Sequence, residues 1–564
     1  MKSLKKLTLF LLAAALAATS LSLTAFADVA AEPVWGDVQQ DNFVRVSSAE
    51  GFAAGTTQNL AVSEEIGDGA LVLTEGQEQG VWTSPEITVP AFEYLVATWG
   101  ADTPADSWVS VDARAYVPMH NDWSDWMTWG KWGTGVQRTS MSKTTTLAEM
   151  DTDTLIILGS DGETSDRIQL RVTLHSASDG QSPAFRQVSC TIKNTLEGQA
   201  IPVYSPHAGE ALPDEVLLDT PCYSQMVRDP AIANIMCSPT SMTMMLNDRG
   251  ETLFPEETAL WEYDFGYNGF GNWSFTSAIA GSFGYSSYAQ YGDLDFVRHE
   301  LAAGRSVALS VQYSSQSGGS YPFLENGAAN NTGGHLICIV GYGSEGGRDY
   351  FWSNDAAATG DVNCVRRKYW ADQLDVCWTS RIVYAVSSQP EAGAGFASPV
   401  RQTGEMVPAE LEGQYILKVN DEELSLGDSF SNMTSNFGSG SAFLILDSAA
   451  AADLPEGVKT TEANRETLYL RATSSGQINF NSSTRTAYAG KTGTVYVVKN
   501  DGTSYAASIS FPQVEQQPAE DQPADETPAE PAAKTNDTAL IIGIAAAVVV
   551  VIAVVVVVSK KKKG

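Results

Sequence analysis

Apolar and polar side chains alternate over short runs between residues 40 and 200, and turn-forming residues separate the runs. Segments 81–83, 94–99, 108–116, 154–158 and 168–174 each read as strands. No helical period competes, which predicts a β-sandwich. Trp123, Trp126, Trp129 and Trp132 recur every three residues, a spacing that suits neither a strand nor one face of a helix. They serve either as sandwich core with a packed loop or as a stacking platform for sugar rings. A second strand-rich stretch covers 405–511, with strands over 415–419, 467–472 and 494–498. It reads as a small all-β domain with an accessory or spacer role.

The texture changes over 215–388, where helix signals mix with strands. Met236-Cys237-Ser238-Pro239-Thr240-Ser241-Met242 opens a helix, with Pro239 in the first turn and Met242, Met245 and Leu246 as an apolar stripe. Gly250 is its natural stop. Cys237 therefore stands at a helix N-terminus, where unpaired N–H groups favour negative charge and suit a reactive thiolate. Downstream, the apolar run that starts at Gly333-Gly334-His335 reads as a strand, Gly343 to Gly347 as a turn, and 349–355 as the return strand. A hairpin centred on Glu345 places His335 opposite Asp355. Opposed residues share a face with Cβ atoms about 4.5–5.5 Å apart, near enough for a carboxylate to orient an imidazole. A one-residue slip would bring Asn354 there instead, so Asp355 is the expected partner and Asn354 the reserve.

Charge and the two ends set the wider frame. The 564-residue chain has 34 Lys+Arg, 67 Asp+Glu and 5 His, for a formal charge of −33. Lys2, Lys5, Lys6 and Lys560 to Lys563 sit at ends that carry no acid, so the body is nearer about −40. That excludes a nucleic-acid binder driven by phosphate contacts. Residues 1–27 read as a secretory signal peptide ending in Ala25-Phe26-Ala27. Residues 539–558 are apolar for the length of a bilayer core. Lysines follow in 559–564, which predicts a single transmembrane helix with a basic cytoplasmic tail and an exported bulk. The Pro- and Glu-rich stretch over 512–537 reads as an extended stalk. Six cysteines are too few for a disulfide scaffold. The histidines show no metal-ligand spacing, and the chemistry calls for no cofactor.

Taken in order, Cys237-Ser238-Pro239-Thr240-Ser241, then Gly334-His335 with its apolar strand and Gly341-Tyr342, then Asn354-Asp355 resemble the papain-fold cysteine peptidases. The resemblance is closest to the group of the double-glycine peptidases and their exported relatives. Upstream, Thr220-Pro221-Cys222-Tyr223-Ser224-Gln225 is similar to that group's Pro-x-Tyr-Ser-Gln segment. The resemblance implies Gln225 as oxyanion donor, Cys237 as nucleophile, His335 as general base and acid, and Asp355 as its orienting partner. It also implies an α+β papain-like domain over 215–388, which the strand patterns flank with the β-sandwich over 40–200 and the small β domain over 405–511. Cys222 departs from the family, where an aromatic residue is frequent, and reads as a small buried hydrophobe. Cys338 is three residues beyond His335 and points into the core. Cys364 and Cys377 could form a disulfide, and Cys190 lies outside this region.

The function expected from these features is a cell-surface cysteine peptidase acting on peptide or protein substrates. Alternatives are a papain-fold amidase or transpeptidase acting on cell-wall peptides, and a non-catalytic glycan-binding surface protein. Expected contacts are a peptide substrate, glycan or cell wall through the N-terminal region, and the membrane through one C-terminal helix.

Overall fold

The structure, a computed structural model, describes residues 36–159, 162–395, 401–426, 440–473, 475–499 and 503–513. Two antiparallel sheets form the N-terminal part. One has β1 (Tyr94–Asp102) at its centre, and the other has β2 (Trp108–Val117) beside β3 (Ser165–His175). β4 (Ala184–Lys193) pairs with β1. Val109, Val111, Ala113, Ala115 and Val117 alternate along β2 and are buried against Leu95, Ala97, Trp99 and Ala101 of β1. This is the period-two pattern of a sandwich core. Trp129 and Trp132 belong to that core. Trp123 and Trp126 are half-buried, and the Arg114 guanidinium lies 4.7 and 5.0 Å from their ring centroids. Arg171 lies 4.5 Å from Trp126 as well. These cations cover ring faces that a sugar would stack on.

The central part has three helices, α1 (Cys237–Asp248), α2 (Pro255–Glu262) and α3 (Trp273–Ser282), followed by β5 (Tyr285–Tyr291) and α4 (Leu294–Ala302). Then come β6 (Val307–Ser314), β7 (Asn331–Glu345), β8 (Arg348–Asn354), β9 (Arg367–Trp370) and β10 (Ile382–Pro390). Its antiparallel sheet runs β5-β10-β6-β7-β8-β9. α1 is buried on every side from Ser238 to Asn247, beyond the single apolar stripe that its sequence suggests. It packs against α2, α3 and β7. Its end at Gly250 needs φ +105°, which a side chain would strain.

α3 ties the sandwich to this region. Phe275 and Ala278 complete the sandwich core, and Ser274 Oγ donates to the Ala97 carbonyl at 2.6 Å. A Cβ on Gly281 would sit 2.7 Å from Gly100 Cα, so glycine is what lets α3 meet the backbone of β1.

The C-terminal sheet contains β11 (Gln402–Pro408), β12 (Gln414–Val419), β13 (Gly440–Leu446), β14 (Thr492–Lys499) and β15 (Ser504–Ser510). They run β12-β11-β15-β14-β13. Only the β11–β15 pair among these five is parallel. This sheet is more than a spacer. Phe443 and Tyr496 pack on Phe254 at ring-centroid distances of 4.9 and 4.8 Å. Tyr469 donates to the buried Glu256 carboxylate at 2.6 Å, and the same carboxylate pairs with buried Arg228. Ser441 Oγ donates to Asp229.

Two sequence expectations are corrected. Among the described residues 41% are strand and 15% are helix, so the fold class is set by several sheets rather than by an α+β centre and a membrane anchor. The signal segment 1–27, the transmembrane segment 539–558 and the tail 559–564 lie outside the described residues, as does nearly all of the stalk. Among the described residues no helix is long and apolar enough to cross a membrane. The single-pass placement, with exported bulk and cytoplasmic C-terminus, is therefore withdrawn. It rested on the length of an apolar run, and no described helix supplies that run.

Candidate active site

Cys237 opens α1 and is half-buried, whereas Cys190, Cys222, Cys338, Cys364 and Cys377 are buried. Its N-cap residue, Met236, offers no side-chain oxygen, so the first-turn N–H groups have no side-chain cap. Ser241 Oγ, one turn on, donates to the Leu336 carbonyl at 3.2 Å. That bond fixes α1 against the strand that carries His335. Cys237 and His335 both line a cleft of about 480 Å³.

His335 Nε2 lies 2.7 Å from Asp355 Oδ1. With the carboxylate ionised, Nε2–H donates, and Nδ1 is the other ring nitrogen. Tyr313 and Tyr369 hydroxyls donate to Asp355 Oδ2 at 2.9 and 2.6 Å, and the Ala357 N–H donates to Oδ1 at 3.0 Å. Four donors thus satisfy a fully buried carboxylate. Burial works against charge on both members of the pair. On His335 it is outweighed by the Asp355 carboxylate and the neighbouring Cys237 side chain, and the imidazole is raised to about 10. On Asp355 the opposing imidazolium and the hydrogen bonds prevail, and the carboxyl is held down at about 2.

The hairpin register differs from the sequence expectation. Glu345 pairs with Arg348 across a two-residue turn, in which Gly346 and Gly347 both have positive φ. The ladder shifts between Ile339 and Gly341 and ends on Cys338 opposite Asn354. His335 itself pairs with Val311 of β6. Asp355 is one residue past the strand and not the ladder partner of His335. Asn354 takes a different task, donating to the Thr220 and Pro221 carbonyls at 3.2 Å each and accepting the Arg366 N–H at 3.0 Å.

Gln225 is buried in a short 3-10 turn. Its N–H donates to the Ala356 carbonyl at 2.9 Å and its carboxamide to the Ala233 carbonyl at 2.7 Å. Its Oε1 has no partner. Gln225 is not part of the lining that Cys237 and His335 share.

The far wall of the cleft comes from the sandwich. Asp151, Thr152, Asp153 and Thr154 line it, and Asp153 accepts the Trp273 N–H at 2.8 Å. Buried Glu262 of α2 accepts the Gly271 N–H at 3.0 Å. Burial raises both Asp153 and Glu262 to about 7. Sequence reasoning missed Tyr313, Tyr369, Asp153 and Glu262. No spacing marks them, since each reaches the site from a separate element. Cys377 Sγ faces the Pro322 and Phe323 carbonyls and Cys364 Sγ faces Cys222, so the Cys364–Cys377 pairing has no support. Among the described residues no group of three or more His, Cys, Asp and Glu side chains could hold a metal ion.

Comparison with known proteins finds two families. Residues 38–192 match the Peptidase C39 N-terminal domain, and residues 217–382 match the Peptidase_C39 like family. No curated protein matches the chain. Among solved structures, procathepsin L 3 from the larval midgut of Tenebrio molitor is 15% identical with TM-score 0.24, covering 32% of this chain and 71% of its own. ProCathepsin B S9 from Trypanosoma congolense is 12% identical with TM-score 0.23, covering 34% and 82%. The C-terminal CBM6 of LamC from Zobellia galactanivorans is 12% identical with TM-score 0.14, covering 27% and 99%.

Proposed function

We propose that this chain, which carries a papain-like C39 (double-glycine) peptidase domain, hydrolyses peptide bonds with Cys237 as nucleophile. The reading divides the chain into a β-sandwich over 40–200, the peptidase over 215–388 and a β domain over 405–511. The observation that carries it is the buried His335–Asp355 pair beside a half-buried cysteine at a helix N-terminus, in one cleft.

In the resting state His335 takes the Cys237 proton, giving a thiolate and an imidazolium that Asp355 holds in place. The thiolate attacks the substrate carbonyl. First-turn N–H groups of α1 stabilise the oxyanion, and the family resemblance assigns a share of that role to the Gln225 carboxamide, which also donates to the Ala233 carbonyl. His335 then protonates the departing amine, the thioester forms, and water activated by His335 releases the acid. Asp355 does not accept the proton; its low affinity for protons keeps the imidazolium paired. The turn over 151–154 would meet the substrate, so the sandwich takes part in recognition.

The test is labelling with a peptidyl thiol-reactive probe. Labelling of the full chain that survives Cys222→Ala and disappears with Cys237→Ala, together with peptide turnover lost in the same variant, is the expected result. Equal labelling of Cys237→Ala sinks the assignment.

A further inference from the structure

Cys222 and Cys364 are 142 residues apart in sequence, and their sulfurs are 2.7 Å apart. Both are fully buried. Neither serves the chemistry above. The segments that carry them are already laced together beside the site. The Gln225 N–H donates to the Ala356 carbonyl, and the Asp355 N–H donates to the Cys364 carbonyl at 3.0 Å. Ser224 N–H donates to Asp361 at 2.8 Å and the Gly360 N–H donates to Ser224 Oγ at 3.1 Å. A short turn of the C-terminal region closes the same lattice, since Asn464 donates to the Cys222 carbonyl at 2.8 Å and to Asp361 at 2.7 Å.

We propose that Cys222 and Cys364 are a modification site: they form a disulfide that clamps the Gln225 segment to the loop leading from Asp355. An S–H is a weak donor and a thiol sulfur a weak acceptor, so as thiols the pair adds little to this lattice. Fixed backbones on both sides keep the sulfurs facing each other. Burial raises both thiols, so neither is a ready nucleophile once the chain is folded. The bond is therefore made while the chain folds, by exchange with an external disulfide. One thiolate, Cys222 for instance, attacks that disulfide and releases one thiolate from it. The Cys364 thiolate then attacks the mixed disulfide at the Cys222 sulfur and releases the second. Two S–H bonds are lost, one S–S bond forms, and the external disulfide takes up two electrons and two protons as two thiols.

The experiment maps cysteines in the full chain folded with a small-molecule disulfide present, then denatured in alkylating reagent without reductant and digested. The expected product joins the Cys222 and Cys364 peptides, with Cys190, Cys237, Cys338 and Cys377 alkylated. Reductant should lower the Tm of this protein by about 5–10 °C and leave the Cys222→Ala/Cys364→Ala protein unmoved. Alkylation of both residues, or a bridge from either one to Cys338 or Cys377, overturns the proposal. So does an equal reductant effect on the double variant. None of these readouts needs turnover, so they stand apart from the peptidase reading.

Discussion

His335 and Asp355 meet through a 2.7 Å contact although they are not ladder partners. The pairing sum near the turn would put Asn354, not Asp355, on the face of His335. The one-residue shift between Ile339 and Gly341 reverses that parity before the strand ends. Asp355 then leaves the strand on the side of His335, and Asn354 turns to the backbone of 220–221.

This division of labour separates two substitutions. Asp355→Asn should lower kcat/KM by about 10²–10⁴-fold, the range for general acid–base catalysis, with the fold retained by circular dichroism. Asn354→Ala should cost about 2–3 kcal/mol in denaturant unfolding, because it strips partners from buried backbone groups. Its activity per folded molecule should stay near wild type. The reverse pattern would assign the catalytic role to Asn354.

Tyr313 and Tyr369 should act as positioning residues through Asp355. Tyr313→Phe and Tyr369→Phe each remove a hydrogen bond to a buried carboxylate, worth about 1.5–3 kcal/mol. With fewer donors, Asp355 should also hold its proton to higher pH. The acid limb of the pH–rate profile should move upward in both variants, which a loss of packing alone would not produce.

The ion pair also sets a pH window for stability. His335 is raised from 6.5 to about 10, so its contribution is complete below about 6.5 and is lost as pH rises through about 10. Asp355 is lowered from 3.8 to about 2, so its contribution is present above about 3.8 and is lost as pH falls through about 2. The Tm gap between wild type and Asp355→Asn should be widest between pH 4 and 6.5 and should close toward pH 10. A gap that widens with rising pH contradicts the pairing.

Glu262 shifts the opposite way from Asp355. Burial raises its carboxyl from 4.5 to about 7, so the folded chain binds its proton more tightly than the unfolded chain. Stability from this group therefore falls as pH rises from about 4.5 to about 7. Glu262→Gln, which cannot ionise, should gain several degrees of Tm relative to wild type across that interval. Thermal scans at pH 4.5 and 7.5 check it, and an unchanged difference would mean that Glu262 is not the titrating group.

The sequence by itself determined what local pattern can carry. The alternation in β2, the helix that opens at Cys237 and the presence of a glycine-rich turn within 343–347 follow from chain neighbours and backbone sterics. So does the order of Cys237, His335 and Asp355. Tertiary structure decided the rest. A single shifted residue near Val340 chose between Asp355 and Asn354. Tyr313 and Tyr369 arrive from β6 and β9, and the 151–154 wall arrives from the sandwich. Cys222, buried in the core as its sequence reading expected, also meets Cys364. These contacts join residues distant in sequence, and their geometry is fixed by how sheets and helices pack. A period of two or 3.6 residues carries no record of that.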